Sequence, residues 1–265
     1  LFLLASTNAL AGIEQAPQNF IHNTKKAVFV DFLRADYEIT YEANNQRAYV
    51  VSKIEFDMPT SGFPLFDSIA APNWVKLNGR DVEQKLIRTP DRASKVRMVD
   101  QHTPKGLNIL EIKTPIIKGT YFRARRGNWN RVSSGFFIRD LADRMFLEQY
   151  IPTNYEYDQY QMNFDVRVTG TKRWHSLFAN GKVNKVSENH YQVSFPSWYT
   201  ASSLYFHLVP INRFVRYYLK YKSIDGREIP VTIYSTHRFY NYLTQKKTWR
   251  VMKELEHDYG PYPHD

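Results

Sequence analysis

The chain has 265 residues, 43% hydrophobic and 15% aromatic, which is enough apolar matter for one large core or two modest ones and excludes a disordered protein. Lys and Arg number 36 against 26 Asp and Glu, a net charge of +10, but they are dispersed, so a nucleic-acid binder rests on charge alone. With no cysteine, disulfides, thiolate nucleophiles and Cys-based zinc ribbons are excluded.

The sequence opens with an apolar stretch, Leu1 to Ala5, and small residues ending Ala9-Leu10-Ala11. That pattern reads as the tail of a secretory signal peptide, residues 1–11, cut before Gly12, and predicts an exported protein, periplasmic or secreted. The other reading is a tail containing chance alanines. The stretch is too short to cross a bilayer. A polar leader, residues 12–25, follows.

Residues 26–235 read as one β domain. Lys26 to Phe32, Tyr37 to Tyr41 and Ala48 to Phe56 carry β-branched and aromatic residues in partial alternation, broken by Glu42-Ala43-Asn44-Asn45. The pattern resumes at Leu107 to Lys113, Phe164 to Val168, Tyr191 to Phe195, Ser203 to Val209, Phe214 to Tyr221 and Ile229 to Tyr234. Asn78-Gly79, Asn180-Gly181 and Asp225-Gly226 are hairpin-turn signals, since Asn, Asp and Gly tolerate the positive φ that tight turns demand. The prediction is a mainly β fold, an antiparallel β-sandwich or a set of saddle-like sheets. From Phe239 to Tyr259 the spacing of Tyr242, Trp249, Met252, Leu255 and Tyr259 predicts one C-terminal amphipathic helix, stopped by Gly260 and Pro261. Residues 236–265 are therefore set apart as helix and hinge.

Catalytic signatures are missing. A helical zinc peptidase needs two His at i and i+4 with a Glu beside the first. Not one of the eight histidines, His22, His102, His175, His190, His207, His237, His257 and His264, is followed by Glu. His257 and His264 are separated by Gly260, Pro261 and Pro263, which break the helix that would align them. There is no G-x-S-x-G elbow, no dinucleotide fingerprint and no phosphate-cradling loop. Glu148, Glu156 and Asp158 are paired carboxylates of the type used in glycoside hydrolysis, a weak signal in any acidic stretch.

Two segments stand out. Phe146 to Tyr160 packs five aromatics, three acids, two glutamines and a proline. It reads either as the wall of a groove, with Glu and Gln accepting from an ammonium, or as a structural loop whose tyrosines cover a sheet edge. Arg123, Arg125, Arg126 and Arg131 cluster around Trp129, either to cup phosphates or carboxylates or as a solvated basic loop.

The run from Phe146 to Val168, Leu177-Phe178-Ala179-Asn180-Gly181 and the strand-rich stretch ending at Val231 to Tyr234 resemble the N-terminal domain of the aminopeptidase N and leukotriene hydrolase family of zinc peptidases. Gln149 and Pro152 match the spacing of the family's T-Q-x-E-P-T-D segment, and Pro152-Thr153-Asn154 resembles its P-T-D part. Phe164-Asp165-Val166 looks like the strand that follows, Asn180-Gly181 like the turn after it, and Gly119-Thr120-Tyr121 like the point where a glycine-rich strand closes the first sheet. The helix ending Tyr259-Gly260-Pro261-Tyr262-Pro263 looks like the G-x-Y-P hinge that opens the family's catalytic domain. Ile151 stands where the family has an acid, the R-x-F-P-C-F-D-E-P loop is absent or shortened, and the G-x-M-E-N strand and zinc helix are not in this sequence.

The resemblance implies a non-catalytic β domain that caps one side of a peptidase groove. Gln149, helped by Glu148, would reach toward a substrate N-terminus. It implies no cofactor in these residues, zinc in a catalytic domain joined in cis, and no membrane span. The rival reading is an exported β-sandwich binding or interaction module without enzymatic activity.

Overall fold

The computed structural model describes residues 17–90, 95–136, 147–155, 157–210, 215–235 and 238–262. The signal-like stretch 1–11 and His264 lie outside them. In chain order the first strands are β1 (Phe20–His22), β2 (Lys25–Val28), β3 (Asp31–Glu42), β4 (Arg47–Met58), β5 (Phe63–Asp67), β6 (Trp74–Leu77), β7 (Arg80–Asp81), β8 (Gln84–Leu86), β9 (Val96–Val99) and β10 (Gly106–Pro115). There follow β11 (Thr120–Arg123), β12 (Arg131–Phe136), β13 (Gln161–Thr169), β14 (His175–Ala179), β15 (Lys182–Ser187), β16 (His190–Ser194), β17 (Phe206–Pro210), β18 (Val215–Lys222) and β19 (Glu228–Ser235), and then α1 (Arg238–Tyr259). The predicted β class and C-terminal helix are both present.

The chain divides into two compact units, Leu1–Pro210 and Ile211–Asp265. The first contains three sheets. Eight strands run in the order β15-β16-β13-β3-β4-β10-β6-β7, four in the order β11-β12-β17-β14, and five in the order β1-β2-β5-β9-β8. Pairing is antiparallel except for β13 with β3 and β2 with β5, which are parallel. The eight-stranded sheet is built on β3 and β4, paired from Asp31↔Asp57 to Glu42↔Arg47 with one bulge at Leu33. Strict alternation places Ala35, Tyr37, Ile39 and Tyr41 on the buried face and Asp36, Glu38 and Thr40 on the other, as a one-sided sheet requires.

The buried face packs against the four-stranded sheet. Phe164 of β13 meets Phe136 of β12 at 6.3 Å and Phe206 of β17 at 5.9 Å between ring centroids, and Tyr41 donates to Ser134 Oγ at 2.9 Å. These rings belong to the main apolar core, which also holds Ile39, Val50, Phe56 and Leu208. A smaller core of Ala27, Phe29, Leu65, Ile87, Val96, Met98 and Tyr155 lies under the five-stranded sheet.

Asn78 and Gly79, both with positive φ, form the two-residue turn joining β6 and β7. The expected hairpin at Asn180-Gly181 is instead a corner. The chain leaves β14 of the four-stranded sheet there and enters β15 of the eight-stranded one. Asn180 is used to fasten another segment, donating to Ser203 O and accepting from Tyr205 N. A Cβ on Gly181 would stand 2.7 Å from the Phe195 ring, so glycine serves close approach rather than a turn.

In the second unit, β18 and β19 form a hairpin whose loop carries Gly226 at φ 89°, and α1 belongs with it. The ring of Trp249 meets Tyr221 edge-on at 5.7 Å. The less exposed stripe of the helix runs through Gln245, Trp249, Met252 and Glu256. Tyr242, Leu255 and Tyr259, expected on that stripe, are exposed. The cause is Glu256, whose buried carboxylate accepts from Tyr221 Oη at 2.7 Å, Ile224 N at 3.1 Å and Tyr262 N at 3.0 Å, and which also meets Ser223 Oγ. A carboxylate with four donors rotates the helix so that Leu255 faces outward.

Removing the ring at the junction of the eight- and four-stranded sheets leaves a cavity that a β framework cannot close. Phe164→Ala is expected to cost about 3–5 kcal/mol in urea unfolding, with the unfolding slope unchanged.

Candidate functional site

The segment singled out by composition begins with a short 3₁₀ turn, Leu147–Gln149. Glu148 is 6% exposed. Its carboxylate lies 3.8 Å from Lys95 Nζ, and its backbone oxygen accepts from Ile69 N at 3.0 Å. Gln149 is half-buried, and Lys118 Nζ approaches its Oε1 at 3.5 Å. Both predicted residues therefore share one turn, with Glu148 turned inward and Gln149 toward the rim. Sequence spacing could not separate these two orientations, because a 3₁₀ turn sends successive side chains about 120° apart.

Behind them the segment crosses all three sheets of the first unit. Tyr150 stacks on Phe136 at 4.7 Å, and Thr153 exchanges backbone bonds with Asp67 of β5 at 2.8 and 2.9 Å. Tyr37 donates to Pro152 O at 2.9 Å, Thr153 Oγ1 meets Tyr160 Oη at 2.6 Å, and Asn154 donates to Val30 O at 2.8 Å. Phe146 and Glu156 lie outside the described residues. Of the remaining aromatics, Tyr150, Tyr155 and Tyr160 are buried and Tyr157 is exposed. Three of the four tyrosines thus serve as core, and the amide of Gln149 stays at the rim. Gly119 allows the fit, since with φ 65° a Cβ there would stand 2.4 Å from Gly135 O and 2.8 Å from the Tyr150 ring.

Asp158, read from the sequence as one of the paired carboxylates, is structural. It is fully buried, and its Oδ2 accepts from Phe32 N at 3.0 Å, beside the bulge in β3, and from Asn154 Nδ2. Its Oδ1 is buried without a hydrogen-bond partner. Burial pushes this carboxyl up to about 7, with Asp31 adding to the rise against the opposing amides of Asn154 and Phe32. Burial also raises Asp31. As a protonated acid, Asp158 keeps one oxygen for the Phe32 amide without a buried net charge.

Of two hollows in the first unit, neither is lined by Glu148 or Gln149. One, of ≈ 780 Å³, spreads over the polar face of the eight-stranded sheet among Asp36, Glu38, Asn163, Asp165, Lys182 and Gln192. The other, of ≈ 620 Å³, is lined by Ala124, Arg125, Arg126, Trp129, Arg131 and Arg173. It contains Arg125, Arg126 and Arg131 of the basic cluster read from the sequence, without Arg123, and the fold adds Arg173. Among the described residues no three His, Cys, Asp or Glu gather in a group fit to hold a metal. His257 bonds to its neighbour Asp258, and Gly260 with φ 89° ends its helix. The donor set for zinc is not found among these side chains, and among the described residues no helix is long and apolar enough to cross a membrane.

The fold is similar to part of the solved M1 zinc metallopeptidases, as the sequence resemblance implied. The M1 zinc metallopeptidase of Deinococcus radiodurans, solved as a mutant bound to a Tyr-Ser-Ala substrate, matches with a TM-score of 0.56 at 15% identity, over 88% of this chain and 54% of that one. Legionella pneumophila aminopeptidase A, in complex with aspartic acid, matches with a TM-score of 0.56 at 10% identity, over 86% of this chain and 27% of that one. Yeast LTA4 hydrolase in complex with bestatin matches with a TM-score of 0.54 at 10% identity, over 86% of this chain and 35% of that one. The chain spans about half the length of the Deinococcus enzyme and less of the others. No family model and no curated protein matches the sequence.

The Asp158 carboxyl makes a sign-definite prediction. Its folded pKa lies above the ordinary value of about 3.9, so between the two the native state keeps a proton that the unfolded chain has lost. The contribution of this group is full below pH 4, declines as pH rises to about 7 with a slope approaching about 1.4 kcal/mol per pH unit, and is flat above. Asp158→Asn keeps an acceptor for Phe32 N and is expected to remove that decline in urea unfolding measured from pH 4 to pH 8.

Proposed function

We propose that this chain is a non-catalytic domain of a zinc aminopeptidase-like protein, capping the substrate groove and orienting the peptide's N-terminus. The observation that carries the reading is the fold shared over 88% of the chain with a peptidase bound to a Tyr-Ser-Ala substrate. On this reading zinc is held by a catalytic domain joined in cis. No step of the cleavage is assigned to the residues described above, because their donors do not fit the metal.

Gln149 would accept from the substrate ammonium through Oε1, the atom that Lys118 now approaches. Glu148, held against Lys95, would fix the turn from which Gln149 projects and add negative potential near the ammonium. Both contribute position and charge rather than bond-making. The signal-like opening supports placing the protein outside the cytoplasm, in a periplasm or secreted.

The test is zinc content together with hydrolysis of a panel of amino-acid p-nitroanilides, comparing this chain with the longest protein its gene encodes. Zinc and turnover confined to the longer protein are expected. There, Gln149→Ala should raise KM about tenfold, the effect of losing one hydrogen bond to a charged group, with a smaller change in kcat. If neither protein holds zinc or cleaves, the peptidase reading fails and the exported binding module takes its place.

A further inference from the structure

The cleft of ≈ 620 Å³ is formed where the β11–β12 loop meets the connection between β13 and β14. Its lining includes four guanidinium groups, those of Arg125, Arg126, Arg131 and Arg173. The two segments are devoid of acids. No Asp or Glu occurs between Glu111 and Asp140, nor between Asp165 and Glu188. Like charges brought this close repel, and Arg131 registers it. Burial first, then Arg173, Arg125 and Arg123, work against its protonated form, and its Nε is buried with no hydrogen-bond partner.

The fold spends polar side chains on holding these charges together. Asn130, itself buried, accepts from Arg125 N at 3.0 Å and donates to Gly170 O at 3.1 Å, joining the two segments. Thr171 Oγ1 donates to Asn130 O at 2.6 Å and accepts from Arg173 N at 2.9 Å. Lys172 N donates to Asn128 O at 2.7 Å, and buried His175 accepts from Val132 N through Nε2 at 3.1 Å. Asn128 and Gly127, both near φ +64°, tighten the turn below the Trp129 indole, which is 50% exposed. A solvated basic loop has no need of this bracing, since its charges would spread apart in water.

Arginine rather than lysine at each of these positions provides planar forks that match the oxygens of a phosphoryl group in pairs. The volume suits a small molecule, and the half-exposed indole gives it one apolar wall. We propose that this cleft is a binding site for a small di- or triphosphate compound, gripped by Arg125, Arg126, Arg131 and Arg173 and bordered by Trp129. The site is independent of the peptidase reading and is not lined by Gln149.

Calorimetric titration of this chain with inorganic pyrophosphate tests it, with one doubly substituted protein for the cleft and one for the reference. Arg125→Gln combined with Arg131→Gln should weaken pyrophosphate at least about tenfold. The charge-matched pair Lys182→Gln and Lys185→Gln on β15 should change it less than about twofold. The single variant Arg126→Gln, at an exposed position, repeats the test without touching the buried part of the cleft. Vesicles bearing phosphoinositides and a single-stranded oligonucleotide serve as the other sources of phosphate. No binding of pyrophosphate below about 1 mM overturns the proposal, as does equal weakening in cleft and reference variants. Binding of vesicles or oligonucleotide with no response to pyrophosphate overturns it as well.

Discussion

The first unit depends on one buried crossing, the passage of residues 150–155 and 157–160 between its three sheets. A chain threaded through an apolar interior must satisfy each backbone and side-chain polar group it carries in. This one does so, save for Asp158 Oδ1, by borrowing from two of the sheets and the residue between them: Asp67 from β5, the Tyr37 hydroxyl and Phe32 N from β3, and Val30 O just before that strand. The same segment delivers Tyr155 to the small core and Tyr150, Ile151 and Tyr160 to the large one. Asp158 is the group for which this is hardest, and burial pushes its carboxyl up to about 7, so that below that pH a proton removes the net charge that burial would otherwise leave uncompensated.

That constraint explains the character of the candidate site. Where the crossing begins, the 3₁₀ turn is pinned by Glu148 and Lys95 on one side and by the Tyr150–Phe136 stack on the other. A side chain standing on such a turn is held in place by its supports, which is what orienting a ligand requires. The positively charged cleft follows a related logic with opposite chemistry. There the support is a set of buried amides and hydroxyls, and the supported groups are cations with no acid in either segment.

Much of this was legible in the residues. The alternation in Tyr37 to Tyr41, Ala48 to Phe56 and Phe164 to Val168 marks strands with one buried face, and the structure pairs all three at the centre of one sheet. Strands such as β5, with a proline in Phe-Pro-Leu-Phe-Asp, and β12, with Ser-Ser-Gly at its centre, were not legible. Their sequences lack strand propensity, and pairing plus burial decide them. The Asn180-Gly181 pair signals a sharp change of direction but not whether the two flanking strands pair, since that depends on segments far away in the chain.

By itself the sequence determined the β class, the lack of a His-Glu-x-x-His motif and of any thiolate among these residues, the closing helix and the resemblance in motif around Gln149 and Pro152. These follow from residue type and spacing, which act over a few neighbours. Only the tertiary structure decided that Glu148 faces Lys95 while Gln149 faces the rim, that Asp158 is a buried acid, that Glu256 rather than Leu255 seats the helix, and that Arg173 joins the arginines around Trp129. Each of these depends on which distant segment a side chain meets. Burial and charge, unlike periodicity, are properties of the folded chain as a whole.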